Sequence, residues 1–315
     1  MSAIIEVAGL TKSYGRKRGI IDLTFEVQPG EVFGFLGPNG AGKTTTIRTL
    51  MALLRADSGS AKIGGFDCWD QSVEVKRITG YLPGEPSLDG GLTGGQILEY
   101  FANLRGGVDQ TYLKSLVERL GLDPTRKFRQ YSSGNKRKVV LIQAFMHRPP
   151  VLILDEPTNG LDPLNQQEFE RMVREVQADG RTVFLSSHIL SEVEQICSRV
   201  GIIREGQLVR VGDLAELRDI KRSDLTLVFA GPVPDGVFKG LPGVSSVTPS
   251  TDGRTLHLEL QGGADEVIKA AAAYPVVSIA SHEPSLEDIF LRYYTADGAA
   301  PSSSVSSSTA AESRR

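Results

Sequence analysis

The stretch GPNGAGKTT, Gly37–Thr45, lies between the apolar run VFGFL and the helix-forming IRTLMALL, and its spacing decides what kind of chain this is. Glycines at 37, 40 and 42 let the backbone turn tightly, and successive N–H groups at the start of the following helix aim positive charge at one point. The pattern G-x-x-x-x-G-K-[ST] between a strand and a helix is a phosphate-binding loop. Lys43 then reaches the terminal phosphates and Thr44 offers a hydroxyl to Mg²⁺, while Pro38, Asn39, Ala41 and Thr45 complete the nucleotide-contacting loop.

Working outward, VLILDEP, Val151–Pro157, is an unbroken apolar run closed by two carboxylates. A parallel strand buried on both faces reads this way when its C-terminal end reaches a site. On its own, a strand ending in Asp-Glu more often caps a helix. The phosphate loop upstream turns the reading toward chemistry: Asp155 holds Mg²⁺, commonly through water, and Glu156 takes the proton from the attacking water or orients it. His188 follows TVFLSS. A lone histidine is usually structural, but one at the C-terminal end of a parallel strand stands where ligands bind.

The segment YSSGNKRK, Tyr131–Lys138, admits three readings: a solvated basic face, a nucleic-acid patch, or an anion site at a helix start. The apolar density of the residues after it predicts a largely buried helix. Three cations at its positive end favour the third reading, with Lys136, Arg137 and Lys138 themselves serving mainly as surface charge.

Short β-branched runs alternate with helical patterns through about Arg218, which predicts an α/β fold with a mainly parallel core sheet and antiparallel strands on the N-terminal side. Helix is expected through IRTLMALL. After RDIKRSD the texture changes: LTLVFA, VSSVTP, TLHLEL and VVSIAS alternate with ADEVIKAAAAY and SLEDIFLRYY. The expected division is residues 1–220, a small α/β domain at 223–295, and a Ser/Ala-rich disordered tail at 296–315. With 315 residues, 40% of them hydrophobic, and a net charge of −3, wholesale nucleic-acid binding is disfavoured and none is expected. Cys68 and Cys197 lack metal-ligand spacing and read as small apolar side chains in a reducing compartment. No secretory leader is expected, and no apolar run approaches the roughly 20 residues of a bilayer span, so membrane work falls to another chain.

In their order, these motifs resemble the nucleotide-binding subunit of an ATP-binding cassette (ABC) transporter, from about Ile4 to Leu217. The resemblance implies a P-loop NTPase cassette with a RecA-like parallel core sheet, an antiparallel β subdomain and a helical signature subdomain. It also implies ATP and Mg²⁺ as cofactors and catalytic roles for Glu156 and His188, the latter as the switch histidine. Tyr131–Asn135 fall on the family's LSGGQ signature, in which Ser132, Ser133, Gly134 and Asn135 would meet the γ-phosphate of ATP held by the opposite subunit. Three of the five positions depart, Ser133 in place of a glycine among them. Asn159–Asp162 match the D-loop, where Asp162 helps arrange the facing sites, and Tyr14 matches the aromatic that stacks on adenine. At YLPGEP, Gly84 stands where the family has a glutamine. Either Glu85 replaces it as a metal-shell oxygen or the loop does without.

The variants GYLPGE and GNKRK, with the terminal SLEDIFLRYY, resemble cytosolic ATPase subunits of drug and antibiotic exporters. Such a chain is expected to work as a homodimer with a separate integral membrane permease, peripheral to the cytoplasmic face of the cell membrane. Two other readings stand beside this one: an ATP-dependent module that gates a membrane enzyme or sensor, and a soluble cassette ATPase acting on ribosomes or DNA.

Overall fold

The computed structural model describes residues 2–15, 17–214, 222–234, 236–250, 252–261 and 263–282. Two compact units divide the chain, Met1–Leu217 and Arg218–Arg315. The tail and SLEDIFLRYY lie outside the described residues, as does most of the junction RDIKRSD.

The first unit opens with the hairpin β1 (Ile5–Tyr14) and β2 (Lys17–Val27), followed by β3 (Val32–Leu36), the phosphate loop and α1 (Lys43–Leu50). Next come β4 (Ser58–Ile63), β5 (Phe66–Asp67), α2 (Ser72–Ile78) and β6 (Thr79–Leu82). A helical portion holds α3 (Gly94–Leu104), α4 (Gln110–Arg119), a 3-10 turn at Phe128–Gln130 and α5 (Ser133–Phe145). The chain returns through β7 (Val151–Asp155), α6 (Pro163–Ala178), β8 (Thr182–Ser187) and α7 (Leu190–Ile196) to a hairpin, β9 (Arg199–Arg204) and β10 (Gln207–Asp213).

β3, β7 and β8 are buried at every residue, as strands covered on both faces must be. They lie at the centre of a six-stranded sheet of order β10-β9-β3-β8-β7-β6, parallel except for β10. The antiparallel sheet expected on the N-terminal side is present in the order β2-β1-β4-β5. Stacked rings join the two sheets: Phe25 of β2 lies 5.8 Å from Phe33 and 5.5 Å from Phe35 of β3, and 6.0 Å from Phe184 of β8. Such pairs add about 0.5–1.5 kcal/mol each beyond their burial.

Local signals start the helices. Thr93 and Gln96 form a reciprocal capping box for α3, Asp109 caps α4, Ser132 caps α5, and Asp162 caps α6 with Pro163 behind it. Each such cap is worth about 1 kcal/mol. The helical portion is tied to α6 by Arg119, which reaches Glu168 at 2.5 Å and makes a two-pronged bond to Glu175 at 2.8 Å.

Two expectations need correction. The helix after the phosphate loop stops at Leu50 instead of running through Leu54, because Ala52 takes a left-handed φ of 52° and the N–H groups of Leu53 and Leu54 turn back to the Arg48 carbonyl. Of the cations Lys136–Lys138, Arg137 and Lys138 are not surface charge, being only 4% and 8% exposed. α5 is buried nearly all round from there on, so its second turn carries both side chains inward.

In the second unit, β11 (Arg222–Phe229), β12 (Val244–Pro249), β13 (Thr255–Gln261) and β14 (Val276–His282) form an antiparallel sheet of order β12-β13-β11-β14. Leu225, Leu227, Phe229, Leu256, Leu258 and Leu260 alternate onto one face and pack with Phe238 and with Val267 and Ala271 of α8 (Asp265–Ala271). Both cysteines are free and buried, and burial pushes the Cys68 thiol up to about 12.

His147, at the end of α5, bonds the Thr79 carbonyl at 3.2 Å through Nε2. Burial first, and Arg105 second, pull its pKa down to about 4. The unfolded chain, titrating near 6.5, therefore binds this proton first. The contribution of His147 to stability is complete above about pH 6.5, falls as pH drops toward 4, and is level below that. The urea midpoint of wild type should accordingly decline more steeply between pH 7.5 and 5 than that of His147→Gln; parallel slopes would show that the imidazole does not titrate this way.

Candidate active site

The neighbouring strands β3, β8 and β7 run parallel, so their C-terminal ends open on the same edge of the sheet. That edge is where ligands bind in such sheets. A cavity of about 530 Å³ lies there, lined among others by Asn39, Gly40, Gly42, Lys43, Thr44 and Thr45 from the phosphate loop, Glu85, Glu156 and His188. Sequence reasoning selected all nine of these. Gly40 and Gly42 hold φ of 83° and 114°, conformations a side chain resists, and let the loop curl round the cavity.

Lys43 is 5% exposed; it donates to Gly37 O at 2.6 Å and Pro38 O at 3.1 Å and forms an ion pair with Glu156 Oε1 at 3.1 Å. On the other side of the same carboxylate, His188 Nδ1 lies 2.6 Å from Glu156 Oε2. The imidazole must donate there, since a carboxylate only accepts. Glu156 thus bridges a lysine from the β3 loop and a histidine from the β8 end. It does so from a φ of 50°, a left-handed conformation that costs a non-glycine residue about 1–3 kcal/mol.

Behind Glu156, Asp155 is 0% exposed. Its Oδ1 accepts from Ser186 Oγ at 2.6 Å, and the same hydroxyl accepts from the Glu156 N–H at 3.1 Å. Oδ2 has no hydrogen-bond partner among the described residues. The Asp155 charge, second to burial, helps raise the Tyr81 hydroxyl to about 12. Gly84 comes close to this free oxygen: a Cβ there would lie 2.9 Å from Asp155 Oδ2. Any larger residue at 84 in this loop geometry displaces the carboxylate.

The remaining candidates lie outside the lining. Gly37, Pro38 and Ala41 form the back of the phosphate loop, where the first two hold Lys43 by their carbonyls. Tyr14 ends β1 with 44% of its surface exposed. Asp162 caps α6, accepting from Asn165 N at 3.0 Å and Asn165 Nδ2 at 2.6 Å. Ser132 caps α5 by accepting from Asn135 N at 3.3 Å, Ser133 is exposed beside it, and Gly134 packs close enough that a Cβ would lie 2.7 Å from the Gly160 carbonyl.

Sequence reasoning missed several contributors. Asn159, within the NGLD stretch, lines the cavity. Ser186 supports both carboxylate residues, and the Ser-Ser ending of TVFLSS was its only mark. Glu192 accepts from Thr158 Oγ at 2.6 Å and Ser187 Oγ at 3.2 Å, tying the loop after β7 to the end of β8. Arg137 donates from Nη1 to Pro83 O at 2.9 Å, from Nη2 to Gly84 O at 2.6 Å and from Nε to Asn159 O at 3.2 Å. Burial lowers its pKa while the Asp155 and Glu156 charges push back.

A phosphate loop facing a strand-end Glu–His pair across one cavity, on a parallel sheet flanked by an antiparallel one, defines a P-loop nucleotide-binding cassette. Residues 20–159 match the ABC transporter family, and residues 212–294 match the C-terminal domain of DrrA1-3-like ATP-binding proteins. The chain is 35% identical over 301 residues to the daunorubicin resistance ATP-binding protein DrrA3 of Streptomyces coeruleorubidus, covering 91% of this chain and 94% of that protein. It is 40% identical over 212 residues to the bacitracin transport ATP-binding protein BcrA of Bacillus licheniformis, 66% of this chain and 69% of that one. A solved ATP binding subunit of an ABC transporter aligns with a TM-score of 0.64 at 31% identity, over 68% of this chain and 92% of its own. The chain belongs to the ABC transporter ATP-binding proteins. It binds nucleotide, and its activity is ATP hydrolysis.

Proposed function

We propose that two copies of the chain close on two Mg·ATP and, on hydrolysis, reopen to drive export through a separate integral membrane subunit, from a peripheral position on the cytoplasmic face of the cell membrane. The observation that carries this reading is Glu156 held between Lys43 and His188 over the phosphate-loop cavity. Entry of a phosphate exchanges partners: the Lys43 ammonium turns to the β/γ-oxygens and the freed carboxylate faces water. Glu156 takes the water's proton, His188 contacts the γ-phosphate, and Tyr14 stacks on adenine.

The metal reading fits the residues present. Asp155 Oδ2 is a fully buried oxygen with no hydrogen-bond partner among the described residues, suited to a hard cation or its water shell. Thr44 and Glu85 offer further oxygens from the cavity lining. Mg²⁺ neutralises charge on the phosphate oxygens when bound.

Dimer closure accounts for Ser132–Asn135, which stand outside the cavity of their own chain and would cap the γ-phosphate of a second copy, with Asp162 at the facing turn. For the membrane subunit this chain offers an apolar surface. An apolar groove of about 330 Å³, lined by Leu53, Tyr81, Leu88, Phe101, Leu104 and Val140 among others, takes an apolar helix end of that subunit. The loop after β6 leads to it from Gly84 and Glu85 in the nucleotide cavity. Among the described residues no helix is long and apolar enough to cross a membrane. Export of a drug-like or antibiotic substrate is supported by the names of the daunorubicin and bacitracin relatives.

Glu156→Gln should keep ATP binding and trap the closed dimer while turnover falls about 10²–10⁴-fold, as for loss of a general base. Lys43→Ala should instead weaken binding itself. Hydrolysis near wild type in Glu156→Gln would remove that residue from the mechanism.

The second unit we assign to an accessory role separate from ATP chemistry. Ending the chain after residue 221 should leave a folded domain that still binds ATP, with the change confined to dimer lifetime or coupling. Loss of both folding and ATP binding in the shortened chain would show the two units to be one.

Composite sites make a mixing experiment decisive. Lys43→Ala and Ser132→Arg homodimers each carry two damaged sites, whereas a mixed dimer gathers both lesions into one and leaves the other intact. Equal mixing makes about half the dimers mixed, so roughly a quarter of all sites recover. ATP-dependent crosslinking should report that recovery together with turnover. If verified mixed dimers restore neither, the Ser132 turn does not act across the interface.

A further inference from the structure

We infer that Arg137 is a positioning residue for ATP hydrolysis, holding the loops at Pro83–Gly84 and Asn159 against the Asp155–Glu156 end of β7. The inference rests on the assignment of Glu156 as base.

Arg137 is 4% exposed, and the three bonds of its guanidinium all go to main-chain carbonyls of two loops distant in sequence, one supplying Gly84 and Glu85 to the cavity and the other Glu156 and Asn159. Among the described residues no carboxylate lies within ion-pair distance of it. Its charge is balanced by carbonyl dipoles and by the field of Asp155 and Glu156, the two groups that oppose the effect of its burial. Such a group sits where it does at a cost in desolvation, which packing alone would not require.

Position 84 shows what the arginine supplies. A side chain at 84 would start 2.9 Å from Asp155 Oδ2, so the loop approaches the carboxylate through bare backbone. Arg137 grips that backbone from behind, by the Gly84 carbonyl at 2.6 Å. A planar fork suits the task, because one rigid group spans two loops; an ammonium on a flexible stem reaches one.

The anchor point matters equally. Arg137 sits in the second turn of α5, whose first residues follow the Ser132 cap. A helix of 13 residues moves as a rod, so a displacement at Ser132–Asn135 carries Arg137 with it. Through its carbonyl bonds that displacement reaches the loop bearing Glu156 and the loop running toward Leu88 and the apolar groove. Arg137 thereby couples engagement of the α5 turn to the geometry of the base.

The test uses full-length chain with Arg137→Met, which keeps length and removes charge, and Arg137→Lys, which keeps charge and removes the fork. Turnover, nucleotide affinity and melting temperature are measured on each. Loss of charge-assisted hydrogen bonds predicts a fall in kcat of about tenfold or more in the Met variant, with ATP affinity within about threefold of wild type. The Lys variant should fold, bind ATP normally and remain several-fold slow. Should the Met variant not fold, the Lys variant carries the test. Adding millimolar guanidinium to Arg137→Ala should recover part of the lost turnover without changing affinity. Wild-type turnover in Arg137→Lys, or a loss of affinity that matches the loss of kcat, overturns the inference. Failure of the underlying assignment looks different: Glu156→Gln would then hydrolyse ATP like wild type whatever Arg137 does.

Discussion

The first unit is organised around one interaction, the ammonium of Lys43 shared between two loop carbonyls and the Glu156 carboxylate 3.1 Å away. At that distance and an effective dielectric of about 20, the direct attraction is of order 5 kcal/mol. Lys43 is 5% exposed, so its desolvation cancels much of this. A strong gross attraction with a small net value is what an exchangeable contact requires. The pair is held firmly enough to fix the geometry, and on the proposed mechanism a phosphate carrying more charge takes the lysine from it. Strand order supplies the rest: β3, β8 and β7 are neighbours, so loop, histidine and glutamate meet by topology alone.

Holding the glutamate there is costly, and the cost is met at the end of β7. A φ of 50° at Glu156 needs neighbours that over-determine it. Ser186 is the main one, donating to Asp155 Oδ1 and accepting from the Glu156 N–H, while the Asn159 N–H returns to the Glu156 carbonyl at 3.2 Å. One hydroxyl therefore ties the Asp155 carboxylate to the Glu156 main chain. The free Oδ2 of Asp155 and the strained Glu156 backbone are two results of the same arrangement.

Much of this was legible because the informative residues are close together in sequence. The phosphate loop announces itself through the spacing of Gly37, Gly42 and Lys43, and β3, β7 and β8 through unbroken apolar runs whose burial follows directly. What stayed hidden depends on partners far along the chain. Ser186 meets Asp155 across 31 positions, Thr158 meets Glu192 across 34, and Arg137 meets Gly84 across 53. Nothing in a run such as NKRK separates a buried cation from a solvated one, since the distinction lies in which carbonyls the fold brings to it. The overlong reading of the first helix has a local cause: Ala52 adopts the left-handed turn usually marked by glycine, and alanine leaves no such mark.

Three cations at the start of α5 oppose the partial positive charge of a helix N-terminus, a conflict that each resolves differently. Lys136 lies over the Phe128 ring, 5.7 Å from its centre. Arg137 is absorbed by three carbonyls of two loops. Lys138 is turned inward; the Asn165 hydrogen bonds first, and the Lys138 charge well behind them, hold the Asp162 carboxyl at the cap of α6 below its usual range. With Arg137 and Lys138 drawn inside the chain, the run is not an open row of surface cations. What the cluster leaves unmatched is the helix start itself, where Ser132 and Ser133 are exposed to whatever approaches from outside the chain. The basic run is thus turned mostly inward, and the uncharged turn before it faces outward.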